Sequence, residues 1–323
     1  MVDLWLLPPK VKNALEHRSL ELLSHVAEHI VVVGGWAARA WSGAHVRYTY
    51  DVDGVANEEE LEKAHEKLTD LRLMPQKTEW GYIYTAPSRV EGAPADLLIK
   101  IELSLPRIYD VDGLHYFEFD LRHVQRKTVK SVDGKFKVEV KVAEPEYVLA
   151  NKLGLPASFK NEYDAGVLVP LCNTNKLIEI IKRTDRWRER VLERGSLILD
   201  HLKNPRSLSH RELSRTIDIG SMLARLEQVL EVLRAEQGLD DAAPHTGQLE
   251  PFAVVVLSCI RELGEAYPKL LCEHLNESYQ RIYYCIRMLA KRGYVIARRE
   301  RQNNRYVLKL RITPMGEAML QQS

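Results

Sequence analysis

A chain of 323 residues, 45% hydrophobic and 28% charged, is long enough for two or three domains and a sizeable soluble core. Its formal net charge of +1 says nothing about partners until it is resolved along the chain. No apolar run approaches the roughly 18 residues of a membrane helix. The opening MVDLWLLPPK lacks the basic stretch and long apolar run of a signal peptide, so no membrane partner is expected.

Four cysteines, Cys172, Cys259, Cys272 and Cys285, form no C-x-x-C pair and no zinc-finger spacing with histidine. Cys259 and Cys285 fall in apolar helical patterns, where a small thiol reads as core. A reducing, cytoplasmic location is expected.

In chain order, PPKVKNALEHRSLELLSHVAEH has apolar residues at helical spacing. IVVV (30–33) is a short β-branched strand stopped by Gly34-Gly35, and WAARAW starts a short helix. RYTYDVDG (47–54) alternates with period two, which predicts a strand: Tyr48, Tyr50 and Val52 on a core face, and Arg47, Thr49, Asp51 and Asp53 on the other. EEELEKAHEKLTDLRL is a charged helix. WGYIYTA, ADLLIKIEL (95–103), HYFEFDL and KFKVEVKVA read as strands, the last reached through a turn at VDGK. From Pro145 the pattern becomes helical, almost wholly so over 174–236, and GLDDAAPHTGQ (238–248) is a linker candidate.

Carboxylates at i and i+2 on one strand face lie about 7 Å apart and repel unless a cation sits between them. Hard oxygen ligands suit Mg²⁺ or Mn²⁺. A third acid from a neighbouring strand would complete the set. Asp96, a lone acid in ADLLI, is the first candidate and Glu102 the second. Three such acids can hold two metal ions for an in-line phosphoryl or nucleotidyl transfer. A calcium loop starting at Asp51 is excluded, because Val55 and Ala56 occupy places that need an oxygen ligand and a glycine. Gly34-Gly35 before a helix offers close backbone approach and free N–H groups for phosphate.

Gly34-Gly35 followed by R-x-T-x-D-x-D at Arg47, Thr49, Asp51 and Asp53 resembles the polymerase-β-type nucleotidyltransferase superfamily, and within it the AbiEii-like toxin branch. The likeness covers about residues 30–170. The resemblance implies a lysine and then an aspartate on helices after the sheet, which Lys152 and Asp164 in EPEYVLANKLGLPASFKNEYDAGVL match. It implies an NTP substrate, with Gly34, Gly35, Arg47, Thr49 and Lys152 holding the nucleotide. It also implies Asp51, Asp53 and Asp96 as metal ligands, with Asp164 activating the acceptor hydroxyl or orienting Lys152. The acceptors it allows are tRNA ends, protein hydroxyls and nucleotides, and an antitoxin protein is an implied partner.

At the C-terminal end, three helices, a basic hairpin turning at Gln302-Asn303-Asn304 and a short last helix resemble the winged helix-turn-helix domains of MarR-like regulators. From Glu250 to Ser323 there are 12 Lys plus Arg against 7 Asp plus Glu. Arg281, Arg287, Lys291 and Arg292 on the third helix, and Arg298, Arg299, Arg301 and Arg305 about the hairpin turn, make an electrostatic footprint for DNA or RNA. Ile282, Cys285, Ile286 and Leu289 should face that domain's core.

The expected architecture is therefore α+β: a nucleotidyltransferase-type mixed sheet with helices over 1–170, a helical region and linker over 171–245, and a winged helix-turn-helix domain over 246–323. The expected function is metal-dependent transfer of an NMP from an NTP to an acceptor, as a toxin or otherwise. The alternative is a non-catalytic, nucleotide-sensing transcriptional regulator that binds DNA.

Overall fold

The computed structural model describes residues 7–94, 97–109, 115–183, 185–240, 251–277, 279–291, 294–302 and 305–322. It is a mixed α+β protein whose described residues up to Asp240 form one compact unit and those from Pro251 a second. No helix among the described residues is long and apolar enough to cross a membrane.

The first unit opens with helix α1 (Pro9–Val26), which begins at a proline because the first-turn N–H is dispensable. Its centre is a seven-stranded mixed sheet in the order β3-β4-β5-β2-β1-β9-β8. The strands are β1 (Val31–Val32), β2 (Val52–Val55), β3 (Pro75–Thr78), β4 (Gly81–Pro87), β5 (Leu98–Ser104), β8 (Val124–Lys130) and β9 (Lys137–Ala143). β6 (Arg107–Tyr109) and β7 (Tyr116–Glu118) pair apart from it. β1 runs parallel to β9, β2 runs parallel to β5, and the other neighbours are antiparallel.

Alternation sorts β4 and β5 into two faces. Tyr82, Tyr84, Ala86, Ile99, Ile101 and Leu103 are buried. Helix α3 (Glu58–Asp70), capped by the Asn57 side chain, lies on that side. There Tyr82 donates to Glu62 Oε1 at 2.6 Å and stacks on His65 at 4.2 Å. Thr85, Lys100 and Glu102 point to the opposite, more open face.

Between the strands and after them come α2 (Gly34–Trp41), α4 (Pro145–Gly154), α5 (Phe159–Leu168), α6 (Thr174–Lys182), α7 (Asp185–Lys203), α8 (Leu208–Leu213) and α9 (Ile219–Asp240). The last four share one apolar core with the sheet, through Leu177, Ile181, Trp187, Leu213, Leu226 and Leu230. Helix α9 continues through Gly238, Leu239 and Asp240, so the expected linker is helical at its start. Residues 241–248 lie outside the described residues.

One expectation is overturned. The strand begins at Val52 rather than at Arg47, and the buried side chains of 47–50 are Arg47 and Thr49, with Tyr48 and Tyr50 half-buried. The apolar-inward rule fails here because a buried carboxylate on α5 receives the Arg47 guanidinium and one on α1 receives the Thr49 backbone N–H.

The second unit has α10 (Pro251–Leu263), α11 (Pro268–Leu275), α12 (Tyr279–Lys291), a hairpin of β10 (Val295–Gln302) and β11 (Arg305–Ile312), and α13 (Pro314–Gln322). Gly264 ends α10 and Asn276 ends α11 with left-handed backbones, the usual way a helix stops. Ile282, Cys285, Ile286 and Leu289 are buried together with Val256, Ile260, Leu271 and Leu310, as their spacing predicts. Ala266 exchanges two backbone hydrogen bonds with Leu310, at 3.1 and 2.8 Å, and so fastens the loop after α10 to the hairpin.

Candidate active site

The first unit brings Gly34, Gly35, Arg47, Thr49, Asp51, Asp53, Lys152 and Asp164 together. Gly34 starts α2 with φ +68°, and a Cβ there would stand 2.2 Å from Asp53 Oδ2. A Cβ on Gly35 would stand 2.8 Å from Arg47 Nη2 and 3.0 Å from Thr49 Cγ2. Both glycines are therefore required: the turn lies flat on a carboxylate and a guanidinium, and only hydrogen side chains leave room. Thr49 Oγ1, beside Gly35, is buried with no hydrogen-bond partner. Trp36, next in line, is turned into the core and donates to Ser19 Oγ at 3.1 Å.

Asp164 on α5 has no exposed surface. Arg47 donates to it from Nε and Nη2, at 3.1 and 2.8 Å to Oδ1 and 3.0 Å to Oδ2. Lys152 on α4 reaches Oδ2 at 3.0 Å and also donates to Asn161 Oδ1 at 3.2 Å. His45 Nε2 is 3.0 Å from Oδ1. Burial alone would raise the Asp164 carboxyl, but the Arg47 and Lys152 charges and the His45 hydrogen bond hold it well below the usual carboxylate range.

The His45 tautomer follows from its neighbours. Arg39 Nε can only donate, and it lies 2.8 Å from His45 Nδ1. Nδ1 is thus the acceptor, and Nε2 carries the proton given to Asp164. Burial, outweighing the pull of Asp164, pushes the imidazole down to about 4. Behind it, buried Glu16 accepts from Arg39 Nη2 at 3.1 Å and from the Thr49 backbone N–H at 3.0 Å. Tyr163 of α5 closes the loop: its hydroxyl donates to Ala44 O at 3.1 Å and accepts from Val46 N–H at 3.2 Å.

Asp53 on β2 and Asp51 just before it are treated differently. Asp53 is half-buried. Burial first, then the Asp51 charge, pushes it up to about 6, with Lys152 pulling the other way and Glu102 pushing up again. The parallel register sets Asp53 beside Glu102, so Glu102 stands on the same face of the neighbouring strand. Glu102 is ion-paired with Lys100, and Asp51 with Lys160 at 3.0 Å. Among the described residues no three His, Cys, Asp or Glu side chains converge closely enough to hold a metal ion. Asp96 lies outside the described residues, two positions before β5 begins.

Sequence reasoning misses Glu16, Arg39, His45 and Lys160. Glu16 and Arg39 look like the polar positions of amphipathic helices. His45 and Lys160 carry no spacing signal. Each is recognised only by the partner that the fold brings to it.

In the second unit, Arg281 is ion-paired with Glu277 and lies 4.0 Å over the Phe252 ring. The side chains of Arg287, Lys291, Arg298, Arg299, Arg301 and Arg305, and all of Arg292, lie outside the described residues. No family model and no curated protein matches the chain.

Proposed function

We propose that the protein is a metal-dependent nucleotidyltransferase of the polymerase-β type, similar to the AbiEii-like toxins, that moves an NMP from an NTP to an acceptor hydroxyl. The observation that carries this reading is the glycine turn pressed on both Asp53 and Arg47, where any Cβ would collide. A tight turn needed only for topology would not demand two bare backbone units against one carboxylate and one guanidinium.

The fit to a divalent cation rests on the donor set. Asp53 is pushed up by burial first and then by the charges of Asp51 and Glu102, and a cation would offset the charge part of that strain. Asp51 and Asp53 are the residues that would hold it, and the third place falls to Asp96 or to Glu102, which register sets beside Asp53 without closing a three-acid set in this structure. Bound there, a divalent cation supplies charge for the developing oxyanions of the transfer.

The chain's own residues do the rest. The N–H groups that begin α2 and the unpartnered Thr49 hydroxyl are suited to phosphate. Arg47 and Lys152 share a single carboxylate, so the buried group of Arg47, Lys152 and Asp164 keeps a net positive charge beneath the turn. Of the two roles expected for Asp164, this reading keeps the orienting one. Asp164 holds Arg47 and Lys152 in place and has no free face to meet an acceptor. In the transfer the acceptor oxygen bonds to the α-phosphorus, the bond to pyrophosphate breaks, and the hydroxyl proton leaves to solvent at the open face.

The second unit's order of three helices, hairpin and helix, with its basic excess, supports a winged helix-turn-helix domain that binds nucleic acid. RNA is thereby favoured as acceptor over a protein hydroxyl, and an antitoxin is the partner to seek. The test is incubation of the protein with each α-labelled NTP, Mg²⁺ or Mn²⁺, and total cellular RNA or protein. Label should transfer with one or more NTPs and vanish in Asp51→Asn and Asp53→Asn while both variants stay folded. Undiminished transfer in both variants would overturn the assignment.

A further inference from the structure

Lys160 has no counterpart in the motif that points to nucleotidyl transfer, yet it is the residue that touches Asp51. It stands in the first turn of α5, four residues before Asp164 and so on the same helix face. Its Nζ is 3.0 Å from Asp51 Oδ2, and the two side chains are 57% and 42% exposed. The buried end of this face is fixed through Asp164. The solvent end reaches the carboxylate pair with a flexible stem. An ion pair this exposed is worth little, so it forms and breaks readily. Lys100 on the adjacent strand β5 is placed similarly: it is ion-paired with Glu102. Each carboxylate pushing on Asp53 thus has a lysine beside it.

We propose that Lys160 is a further substrate-binding residue, holding Asp51 in the metal-free protein and turning to the triphosphate once a cation takes that carboxylate. The proposal rests on the cation-site reading above. One Asp51 oxygen cannot face an ammonium and a divalent cation at contact distance without strong repulsion. A released ammonium on a four-carbon stem, beside a site that collects phosphate, finds its next partner there. Lys160 therefore opposes metal binding alone and favours metal with triphosphate, which makes the two ligands cooperative.

The test titrates Mn²⁺ by electron paramagnetic resonance into the full-length protein, with and without inorganic tripolyphosphate, which isolates the phosphate contact from any base contact. In Lys160→Ala, Mn²⁺ alone should bind roughly two- to fivefold more tightly, since an exposed pair has been removed from its competitor. Tripolyphosphate binding to the Mn²⁺ form should weaken roughly tenfold, the scale of a hydrogen bond to a charged group. Lys160→Arg should keep the tripolyphosphate affinity. The two affinities moving in opposite directions is the signature. A lysine that only supports α5 would leave both unchanged or weaken both, and either result overturns the proposal. Asp53→Asn separates the two readings. If the wild type binds no Mn²⁺, or Asp53→Asn binds it equally well, the cation site itself is wrong and the Lys160 proposal falls with it. If Asp53→Asn loses Mn²⁺ while Lys160→Ala matches the wild type, only the Lys160 proposal falls.

Discussion

Asp164 and Asp53 lie either side of the same glycine turn, and their surroundings push them in opposite directions. Asp164 is enclosed by an arginine, a lysine and a neutral histidine and is held low. Burial first, and then the neighbouring acids Asp51 and Glu102, push Asp53 up to about 6. At the first aspartate the protein supplies the countercharge itself. At the second it leaves the charge unbalanced and half-open to solvent. The contrast separates a carboxylate whose charge is balanced inside the fold from one whose charge is not, a distinction that residue type alone does not make.

The largest effect should come from the balanced side. Asp164→Ala leaves Arg47 and Lys152 buried without their shared partner, which costs about 3–5 kcal/mol. The urea midpoint should fall accordingly. A variant as stable as the wild type would mean that the cluster is wet and that the comparison fails.

Next comes the histidine. His45 titrates near 4 in the folded chain and near 6.5 when unfolded, so between those values the unfolded chain binds the extra proton. Its contribution is complete above about pH 6.5 and is lost as pH falls through 4, by roughly 3 kcal/mol in all. His45→Gln, which can still donate to Asp164, should flatten the stability profile over that window. An unchanged acid limb would show that His45 takes up its proton alike in the folded and unfolded chain, and that its burial does not depress it.

The smallest effect has the opposite sign. Asp53 is raised, so its favourable contribution is present below about 3.8 and is lost as pH rises through 6. With a chelator present, Asp53→Asn should therefore be more stable than the wild type by about 1 kcal/mol above pH 6.5, allowing for partial exposure, and no more stable near pH 4. Thermal melts at the two pH values decide it. Destabilisation at both would place Asp53 with Asp164 as a structural carboxylate.

Much of this site is legible in the sequence, and the illegible portion has one cause. The glycine pair, the two aspartates, Lys152 and Asp164 stand out by spacing and by the resemblance they carry. The faces of 47–50 come out inverted because period-two reading sends aromatics inward and knows nothing of a carboxylate 117 residues away. Arg47 and Thr49 are buried only because Asp164 and Glu16 are there to receive them. Asp96 ranks ahead of Glu102 in the sequence because a lone acid in an apolar run is conspicuous. Glu102 stands beside Asp53 through strand register, which no single strand announces. In the second unit, helix periodicity picks out Ile282, Cys285, Ile286 and Leu289, because their partners in the core are apolar like themselves.

The cluster around Asp164 also sets an order of events. Its links to His45, Arg47 and Lys152 join segments up to 119 residues apart. A growing chain displays the glycine turn and the aspartate pair long before Phe159–Leu168 exists. Until that helix arrives, Arg39 has its partner Glu16, but the guanidinium beneath Gly35 lacks its anchor. Contacts of such sequence separation close late. Of the two buried carboxylates Glu16 and Asp164, the later to be synthesised is thus the one that aligns Arg47.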